Sequence, residues 1–325
     1  MKHLTTKFNL ESYRGRWEKI VSHNEVTLED FAKSFGTTID DLPRNLITET
    51  DFRYKRLNVA ERDELIQSIL RKIENVNPTA KLRWEKGWAE NLQSFVDSGY
   101  RIEALIPKYI RPNQPVRLRQ EYVIPCNVNF EHYYIEAFRL WLFRTYFQSV
   151  NSIYDFGCGT GYNLAVLARL FPDKKLYGLD WAEASQKIVC LIAKYHNMNI
   201  EARSFNFYTP NDGLEIADNS AVMTFAALEQ VGSDYESFLQ YILKQTPALC
   251  VNVEPLYELY DENNLVDYLA IKYHGKRNYL NGYLSRLKQL ESEGKIEILK
   301  VQRLYFGSLY HEAYSYVIWK PKGVK

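Results

Sequence analysis

The feature that most constrains the fold is a short apolar segment that carries an acid near its end and is followed by glycines at alternate positions. Residues 152–156 read as a buried strand, and Gly157, Gly159 and Gly161 come before a helix that starts at Tyr162. Glycine at such positions lets the main chain adopt positive φ and approach a ligand without a Cβ clash. This order predicts an α/β sheet with a ligand crevice at the carboxyl end of the strand.

Residues 150–325 alternate between short apolar segments and helical patterns. Strands are expected at 175–180, 200–206, 221–226 and 248–253, and helices at 162–170, 182–196, 235–245 and 262–293, the last interrupted near Gly275. Two longer apolar segments, 295–305 and 310–320, flank a turn at Gly307-Ser308 and predict a terminal hairpin. The alternation predicts a Rossmann-like doubly wound sheet with one C-terminal antiparallel strand.

Residues 1–149 differ in pattern and predict a mostly helical N-terminal cap that forms the substrate region. Apolar residues recur at helical spacing over 58–75, 81–97 and 130–147, and Thr27 with Asp30 marks the start of a shorter helix. Four prolines fall within residues 105–129, which predicts an extended segment there.

Composition narrows the range of partners and compartments. Lys plus Arg total 41 and Asp plus Glu total 40, so no overall charge draws the chain to nucleic acid. The four cysteines are far apart and form no CxxC pair, so we expect no structural zinc and no other metal site, and a reducing, cytoplasmic location. Residues 1–6 lack the apolar core of a signal peptide, and no apolar run is long enough to span a bilayer.

The spacing of the glycines distinguishes between the classes of ligand that such a loop can bind. A dinucleotide fingerprint, GxGxxG, would place its third glycine where Tyr162 stands, which argues against the alternative of a nicotinamide-dependent oxidoreductase. A phosphate-binding P-loop would need a Gly-Lys-Ser/Thr ending, which this stretch lacks.

Residues 155–161 instead resemble motif I of the class I S-adenosylmethionine-dependent methyltransferases, (D/E)xGxGxG. The resemblance extends over residues 150 to 320 and implies that S-adenosylmethionine is the cofactor. It implies that Asp155 holds the amino-acid end of the cofactor, directly or through water. The loop residues expected to contact the cofactor are Gly157, Cys158, Gly159, Gly161 and Asn163.

Two further strand ends extend this resemblance. Asp180 closes the next apolar segment, where a carboxylate can accept both hydroxyls of a ribose, and Trp181 beside it can pack on the adenine. Asn206 and Phe207 end the following strand. Members of the family often have an acid at the position of Asn206, whose amide oxygen can still accept a hydrogen bond.

The acceptor is expected to be the hydroxyl or amine of a small molecule, such as a sugar, a nucleotide-sugar or a specialised metabolite. Residues 223–231 lack the (D/N)PP(Y/F) motif of the DNA amino-methyltransferases, which argues against methylation of adenine or cytosine. Glu229 and His274 are the candidate bases, because both side chains can take a proton from such an acceptor. A solvated loop acid and a surface histidine are the alternatives, and a cofactor-binding protein without catalysis is a further one.

The residues expected to contact the acceptor rest on their position in the chain. The basic, proline-rich stretch could grip a phosphate or carboxylate, although a solvated stretch is equally compatible with its composition. The predicted acceptor contacts are Arg119, Tyr122, Tyr133 and Arg277.

Overall fold

The computed structural model describes residues 23–78, 81–211 and 213–323, so residues 1–6 lie outside the described part. Within residues 23–149, two helices begin with capping boxes, at Thr27 with Asp30 and at Asn58 with Glu61. The helices are α1 (Leu28–Phe35), α2 (Arg44–Glu49), α3 (Val59–Glu74), α4 (Lys81–Asp97) and α5 (Phe130–Tyr146). The strands are β1 (Asn24–Glu25), β2 (Arg53–Arg56), β3 (Val116–Leu118) and β4 (Glu121–Pro125).

The second half follows the predicted alternation. Its helices are α6 (Tyr162–Leu170), α7 (Glu183–His196), α8 (Glu236–Gln245), α9 (Leu265–Arg277) and α10 (Tyr283–Ser292). Its strands are β5 (Ser152–Phe156), β6 (Lys175–Asp180), β7 (Ile200–Ser204), β8 (Ser220–Phe225), β9 (Leu249–Val253), β10 (Ile296–Gln302), β11 (Phe306–Gly307) and β12 (Tyr316–Pro321).

Seven strands form the large sheet, in the order β10-β12-β9-β8-β5-β6-β7. The strands from β5 to β9 run parallel, and β12 lies antiparallel between β9 and β10. The predicted doubly wound sheet with a C-terminal antiparallel strand is therefore confirmed. The chain leaves β5 toward β6 on one side and returns on the other at β8, so the loops after β5 and β8 diverge and leave a crevice.

The N-terminal half contains, besides its helices, a small sheet that the sequence patterns do not predict. Its short strands form a five-stranded sheet in the order β1-β2-β4-β3-β11, and β11 comes from the C-terminal part of the chain. The prediction of a turn at Gly307-Ser308 is wrong, because Phe306 and Gly307 pair with β3 instead. Strands this short carry almost no period-two pattern, and the partner of β3 lies far away in the sequence.

The long helix expected over residues 262–293 is two helices. The break follows α9 and lies after Gly275, at Asn278, which takes the left-handed conformation with φ 54°. Asparagine tolerates this conformation better than most residues and ends helices in this way.

Aromatic side chains join α5 to the large sheet. Phe138 lies 6.3 Å from Phe225 of β8 and 5.8 Å from Tyr316 of β12, measured between ring centroids. Trp141 lies 5.8 Å from Tyr316. Full burial of one such ring stabilises a fold by roughly 1.5–3 kcal/mol. The packing fixes α5, and with it Glu131, over the carboxyl ends of the strands.

A buried ionic cluster joins the small sheet to α9 and to the segment after β10. Arg303 contacts Glu312 at 2.7 Å and Asp267 at 2.6 Å, and Arg117 of β3 lies 3.5 Å from the same Asp267. All four side chains are buried, so removal of one partner would leave an uncompensated charge.

Among the helices formed by the described residues, none combines the length and the apolar character needed to cross a bilayer.

Candidate functional site

A cavity of about 1250 Å³ lies at the carboxyl ends of the parallel strands. One end is lined by the loop after β5 and by the ends of β6 and β7. The other end is lined by side chains from α5, α9, the turn after β8 and the segment before β12. Helix α4 contributes Trp84 and Trp88. These walls together form one large, partly open cavity at the switch point.

The glycine loop at the first end approaches side chains of other elements closely. Gly157 has φ +75°, and a Cβ there would lie 2.5 Å from the Cβ of Ala227. Gly159 has φ +52°, and a Cβ there would lie 2.9 Å from the ring of Trp88. Both positions require glycine on conformational and steric grounds.

Gly161 has a different role from the other two loop glycines. It caps α6 with φ +68°, and a Cβ there would lie 2.9 Å from Ile192 of α7. It does not line the cavity, since its missing side chain gives space to helix packing.

Asp180 ends β6 and faces the cavity. Its Oδ2 accepts the N–H of Gly159 at 3.0 Å and its Oδ1 accepts the N–H of Ala182 at 2.9 Å. Burial raises the pKa of this carboxyl, and those main-chain donors oppose the rise. The carboxylate lines the cavity, where a ligand hydroxyl can donate to it.

Asp155 lies behind the loop and does not line the cavity. Its side chain is 1% exposed, and neither carboxyl oxygen has a hydrogen-bond partner among the described residues. Burial raises the pKa of Asp155 to about 8, and the nearby charge of Asp180 adds to the rise. Burying an acid without a hydrogen-bond partner costs free energy. This cost favours a cationic group or a water molecule that binds to Asp155.

The remaining residues predicted for the cofactor, Cys158, Asn163, Trp181, Asn206 and Phe207, all line the cavity. The amide oxygen of Asn163 accepts from Arg139 at 2.8 Å, and that of Asn206 accepts the N–H of Tyr208 at 3.0 Å. The ring of Phe207 packs against Gly157. The structure therefore brings these residues together around the glycine loop.

Glu229 lines the other end of the cavity. Its residue surface is 6% exposed, Oε1 accepts from the side chain of Gln230, and Oε2 has no partner among the described residues. Burial raises the pKa of Glu229 well above its usual range, and the charge of Glu254 adds to the rise. The carboxyl group of Glu229 can therefore accept a hydrogen bond from a donor in the cavity.

Glu254 fixes the turn that carries Glu229. Its carboxylate accepts the main-chain N–H groups of Ala227, Leu228 and Glu229, at 3.1, 3.0 and 3.1 Å. Burial raises the pKa of Glu254 to about 7, although these donors favour its charged form. Ala226, just before the turn, has φ 52°, an uncommon backbone conformation for alanine.

His274 does not line the cavity, but its neighbour His311 does. His274 Nε2 lies 3.3 Å from His311 Nδ1, and His274 Nδ1 has no partner among the described residues. Burial lowers the pKa of His311 to about 3, and the charges of Arg117 and Arg277 lower it further. The imidazole that reaches the cavity is thus His311, with His274 behind it.

Of the predicted acceptor contacts, Arg277 lines the cavity and the other three do not. Arg119 has a side chain that is 46% exposed and pairs with Asp30 at 2.5 Å. Tyr122 is buried in an apolar cluster with residues of α3 and α9. Tyr133 packs against the main core, with its ring centroid 5.3 Å from that of His132.

Glu131 is a cavity residue that the sequence patterns do not reveal. It lies in the first turn of α5, is 5% exposed, and its Oε1 has no partner among the described residues. Burial raises the pKa of Glu131 to about 8, whereas Arg111 and the hydroxyl of Tyr314 oppose the rise. The available signal was an acid beside Phe130 and Tyr134 in an aromatic helix, which is weak alone.

No protein-family model matches the chain, and no curated protein matches it by sequence. Similar solved structures include N,N-8-amino-8-demethyl-D-riboflavin dimethyltransferase from Streptomyces davawensis, 13% identical over 73% of this chain and 69% of that one, with a TM-score of 0.41. An O-methyltransferase from neocarzinostatin biosynthesis, bound to S-adenosyl-L-homocysteine and 1,4-dihydroxy-2-naphthoic acid, is 13% identical over 57% of each chain, with a TM-score of 0.38. The [4+2]-cyclase SpnF is 12% identical over 77% of this chain and 98% of that one, with a TM-score of 0.49. Sequence identities and TM-scores this low do not show which reaction the chain catalyses, so its function has to be argued from the residues of the site.

Proposed function

We propose that this chain is an S-adenosylmethionine-dependent methyltransferase that acts on a hydroxyl or amine of a small molecule. The observation that carries the proposal is the continuity of one cavity from the glycine loop and Asp180 to Glu131, Glu229 and His311. We also propose that residues 150–325 form the cofactor-binding part, that residues 1–149 cap the acceptor end, and that the protein works in the cytoplasm.

The residues at the first end fit this cofactor. Gly157, Gly159 and Asp180 line the same part of the cavity, where the loop main chain suits the methionine part and the Asp180 carboxylate can accept the ribose hydroxyls. Asp155, without partners behind the loop, suits a role through water toward the cationic amino group. Trp181 and Phe207 offer aromatic surface for the adenine.

When bound, S-adenosylmethionine supplies a methyl group that its sulfonium has already activated for displacement. The protein then has two tasks, which are to hold the nucleophile in line with the methyl carbon and to remove a proton from the acceptor. The cavity serves the first task by joining the glycine loop to Glu131 and Glu229 in one space.

Glu229 is the best placed proton acceptor. Its Oε2 is free and the residue lines the cavity, whereas burial keeps its pKa well above the usual range. A positive charge in the cavity lowers such a pKa toward neutrality, where a general base works best. His311 is the second candidate, and His274 acts as its positioning residue.

Cofactor choice is tested by the melting temperature of the full chain with S-adenosylmethionine, S-adenosylhomocysteine, NAD⁺ and NADH. We expect the two sulfur compounds to raise the melting temperature and the dinucleotides to leave it unchanged, because a tight ligand stabilises the folded state. The opposite pattern would establish the nicotinamide alternative and overturn the proposal.

Catalysis is tested with methyl-labelled S-adenosylmethionine and a panel of amine, phenol and sugar acceptors. We expect label in at least one product, and Glu229→Gln should lower kcat about a hundredfold or more with unchanged affinity for S-adenosylhomocysteine. His311→Gln is assayed alongside it, and a larger loss there would transfer the role of base to His311. Cofactor binding without transfer to any acceptor would instead favour a binding module.

A further inference from the structure

One buried charge in the cavity belongs neither to the predicted cofactor contacts nor to the candidate bases. Arg139 lies in the middle of α5, is 2% exposed and lines the cavity. A guanidinium cannot shed its proton in a protein, and a buried charge costs free energy unless acceptors surround it. The partners of its N–H groups therefore indicate what the guanidinium is placed to bind.

Two side chains hold the guanidinium in place. Its Nε donates to the amide oxygen of Asn163 at 2.8 Å, and its Nη1 donates to Oε2 of Glu136, one turn earlier in α5. The hydroxyl of Tyr162 donates to the same Oε2 at 3.4 Å. No described residue accepts a hydrogen bond from Nη2, which carries two N–H groups. Because Arg139 lines the cavity, a ligand there can accept from Nη2.

The guanidinium contacts both sides of the crevice at the switch point. Its Cζ lies 5.0 Å from the ring centroid of Tyr162, the residue that follows Gly161, and 5.4 Å from that of Phe225, the last residue of β8. Asn163, which accepts from Nε, is the second residue of α6. The guanidinium therefore lies where the loops after β5 and β8 diverge, beside the end of the glycine loop.

The glycine loop itself has few donors left for an anion. The main-chain N–H groups of Gly157 and Cys158 both donate to the carbonyl of Leu179, at 2.7 and 3.1 Å. That of Gly159 donates to Oδ2 of Asp180 at 3.0 Å. An anionic group beside this loop needs a donor from another element, and the guanidinium is the side chain that best matches a carboxylate.

We propose that Arg139 binds the carboxylate of the cofactor's amino-acid tail through the N–H groups of Nη2. This rests on the proposed function and adds to it a specificity-determining residue from the N-terminal half of the chain. The tail is a zwitterion, so its ammonium faces Asp155 through water while its carboxylate faces Arg139. The site thereby selects adenosine thioethers and sulfonium compounds that carry the carboxylate over those that lack it.

The ion pair with Glu136 is a competing explanation for the burial of Arg139. The two side chains are 3% and 16% exposed and lie on the same helix. A purely structural pair would support the binding of every ligand of the site equally. Only a measurement that varies the ligand as well as the residue therefore separates the two roles.

The first test changes the ligand and leaves the protein intact. Calorimetry on the full chain compares S-adenosylhomocysteine with its decarboxylated form, which keeps the adenosine, the sulfur and the amino group. We expect S-adenosylhomocysteine to bind about tenfold or more tightly, because a hydrogen bond between charged groups contributes about that much.

Arg139→Gln assigns this difference to the arginine. We expect the variant to bind S-adenosylhomocysteine about tenfold or more weakly than wild type and the decarboxylated form with wild-type affinity. The ratio between the two affinities should thus fall to about one. Arg144→Gln, at an exposed arginine of the same helix, is the matched control and should keep the wild-type ratio.

A double variant protects the test against loss of the fold. Removal of Arg139 alone leaves the carboxylate of Glu136 without its partner, which destabilises a partly buried pair. Glu136→Gln combined with Arg139→Gln leaves no unpaired charge. We expect this double variant to show the same fall in the affinity ratio.

The possible failures are distinguishable. If S-adenosylhomocysteine and its decarboxylated form bind wild type equally well, the assignment to Arg139 is overturned and the methyltransferase proposal stands. If the difference survives in the Arg139 variants, the assignment is also overturned, and the unpaired N–H groups in the first turn of α6 become the donors. If neither compound binds the wild-type chain, the proposed function fails before any variant is compared.

Discussion

The two ends of the cavity are built in different ways. At the cofactor end, the glycine loop and Asp180 follow β5 and β6, two neighbouring parallel strands, so the residues that define this end stand close together in the sequence. At the acceptor end, Glu131, Glu229 and His311 come from three distant parts of the sequence, and the wall is made of side chains. A site made from one contiguous turn leaves a sequence motif, whereas a site assembled by packing leaves none.

The difference also predicts how each end responds to mutation. The cofactor end depends on shape and on single charged groups, so isosteric changes there should alter cofactor affinity and little else. The acceptor end contains buried acids with raised pKa values, so changes there should alter stability and its pH dependence as well.

The largest effect is expected from Asp180→Asn. The amide loses the charge and one of the two acceptor oxygens that we assign to the ribose, and affinity for S-adenosylhomocysteine should fall about a hundredfold. Calorimetry measures this, with Asp218→Asn at an exposed loop as the matched control. If Asp180→Asn bound S-adenosylhomocysteine as tightly as wild type, the carboxylate of Asp180 would have no role in binding the cofactor.

Glu254→Gln should come next, as a loss of stability at the acceptor end. A glutamine keeps one acceptor oxygen for three main-chain donors, so the free energy of unfolding should fall by about 2 kcal/mol. Urea unfolding at pH 8, where this carboxyl is ionised, measures the change. Glu297→Gln, at a half-exposed acid of β10, should be close to neutral, and equal effects in both variants would contradict the role of Glu254.

Glu131→Gln should change how stability depends on pH. Burial raises the pKa of Glu131 to about 8 in the folded state, above its unfolded value, so the folded protein holds a proton that the unfolded chain has released. The contribution of Glu131 to the free energy of unfolding therefore falls as the pH rises from about 4.5 to 8.

The variant lacks this loss, so its stability relative to wild type should rise by at least about 1 kcal/mol between pH 5 and pH 8. Urea unfolding at both pH values gives the difference. Parallel pH curves for wild type and Glu131→Gln would show that Glu131 is solvated rather than buried.

The smallest effect is expected from Arg119→Gln. Its ion pair with Asp30 is partly exposed, and such pairs contribute about 0.5 kcal/mol or less. Affinities for S-adenosylhomocysteine and for the methyl acceptor should not change, because Arg119 does not line the cavity. A clear loss of acceptor affinity would mean that the acceptor end extends to β3 and β4.

The contrast between contiguous motifs and packed assemblies also separates what the sequence predicts from what it does not. The parallel sheet and the glycine loop are predictable because strand and helix periods repeat over many residues and Gly157, Gly159 and Gly161 stand in one motif. The small N-terminal sheet is not, because its strands are two to five residues long and β11 pairs with β3 across most of the chain.

The acceptor end shows the same limit at the level of single residues. Glu229 lies in the turn after a predicted strand, so its presence in the cavity follows from the sheet. Glu131 lies in a helix whose burial depends on tertiary packing, and nothing in its spacing distinguishes it from a solvated acid. His311 lines the cavity and His274 does not, and their rings meet edge to face in a contact between residues 37 positions apart.

The central claim is that one cavity presents a sulfonium cofactor to a pair of buried acids. A crystal structure of the full chain with S-adenosylhomocysteine tests it most directly. We predict the ribose hydroxyls on Asp180, the sulfur beyond Gly157 and pointing toward Glu131 and Glu229, and the adenine near Trp181. A compound bound elsewhere, or a sulfur turned away from the two glutamates, would contradict the claim.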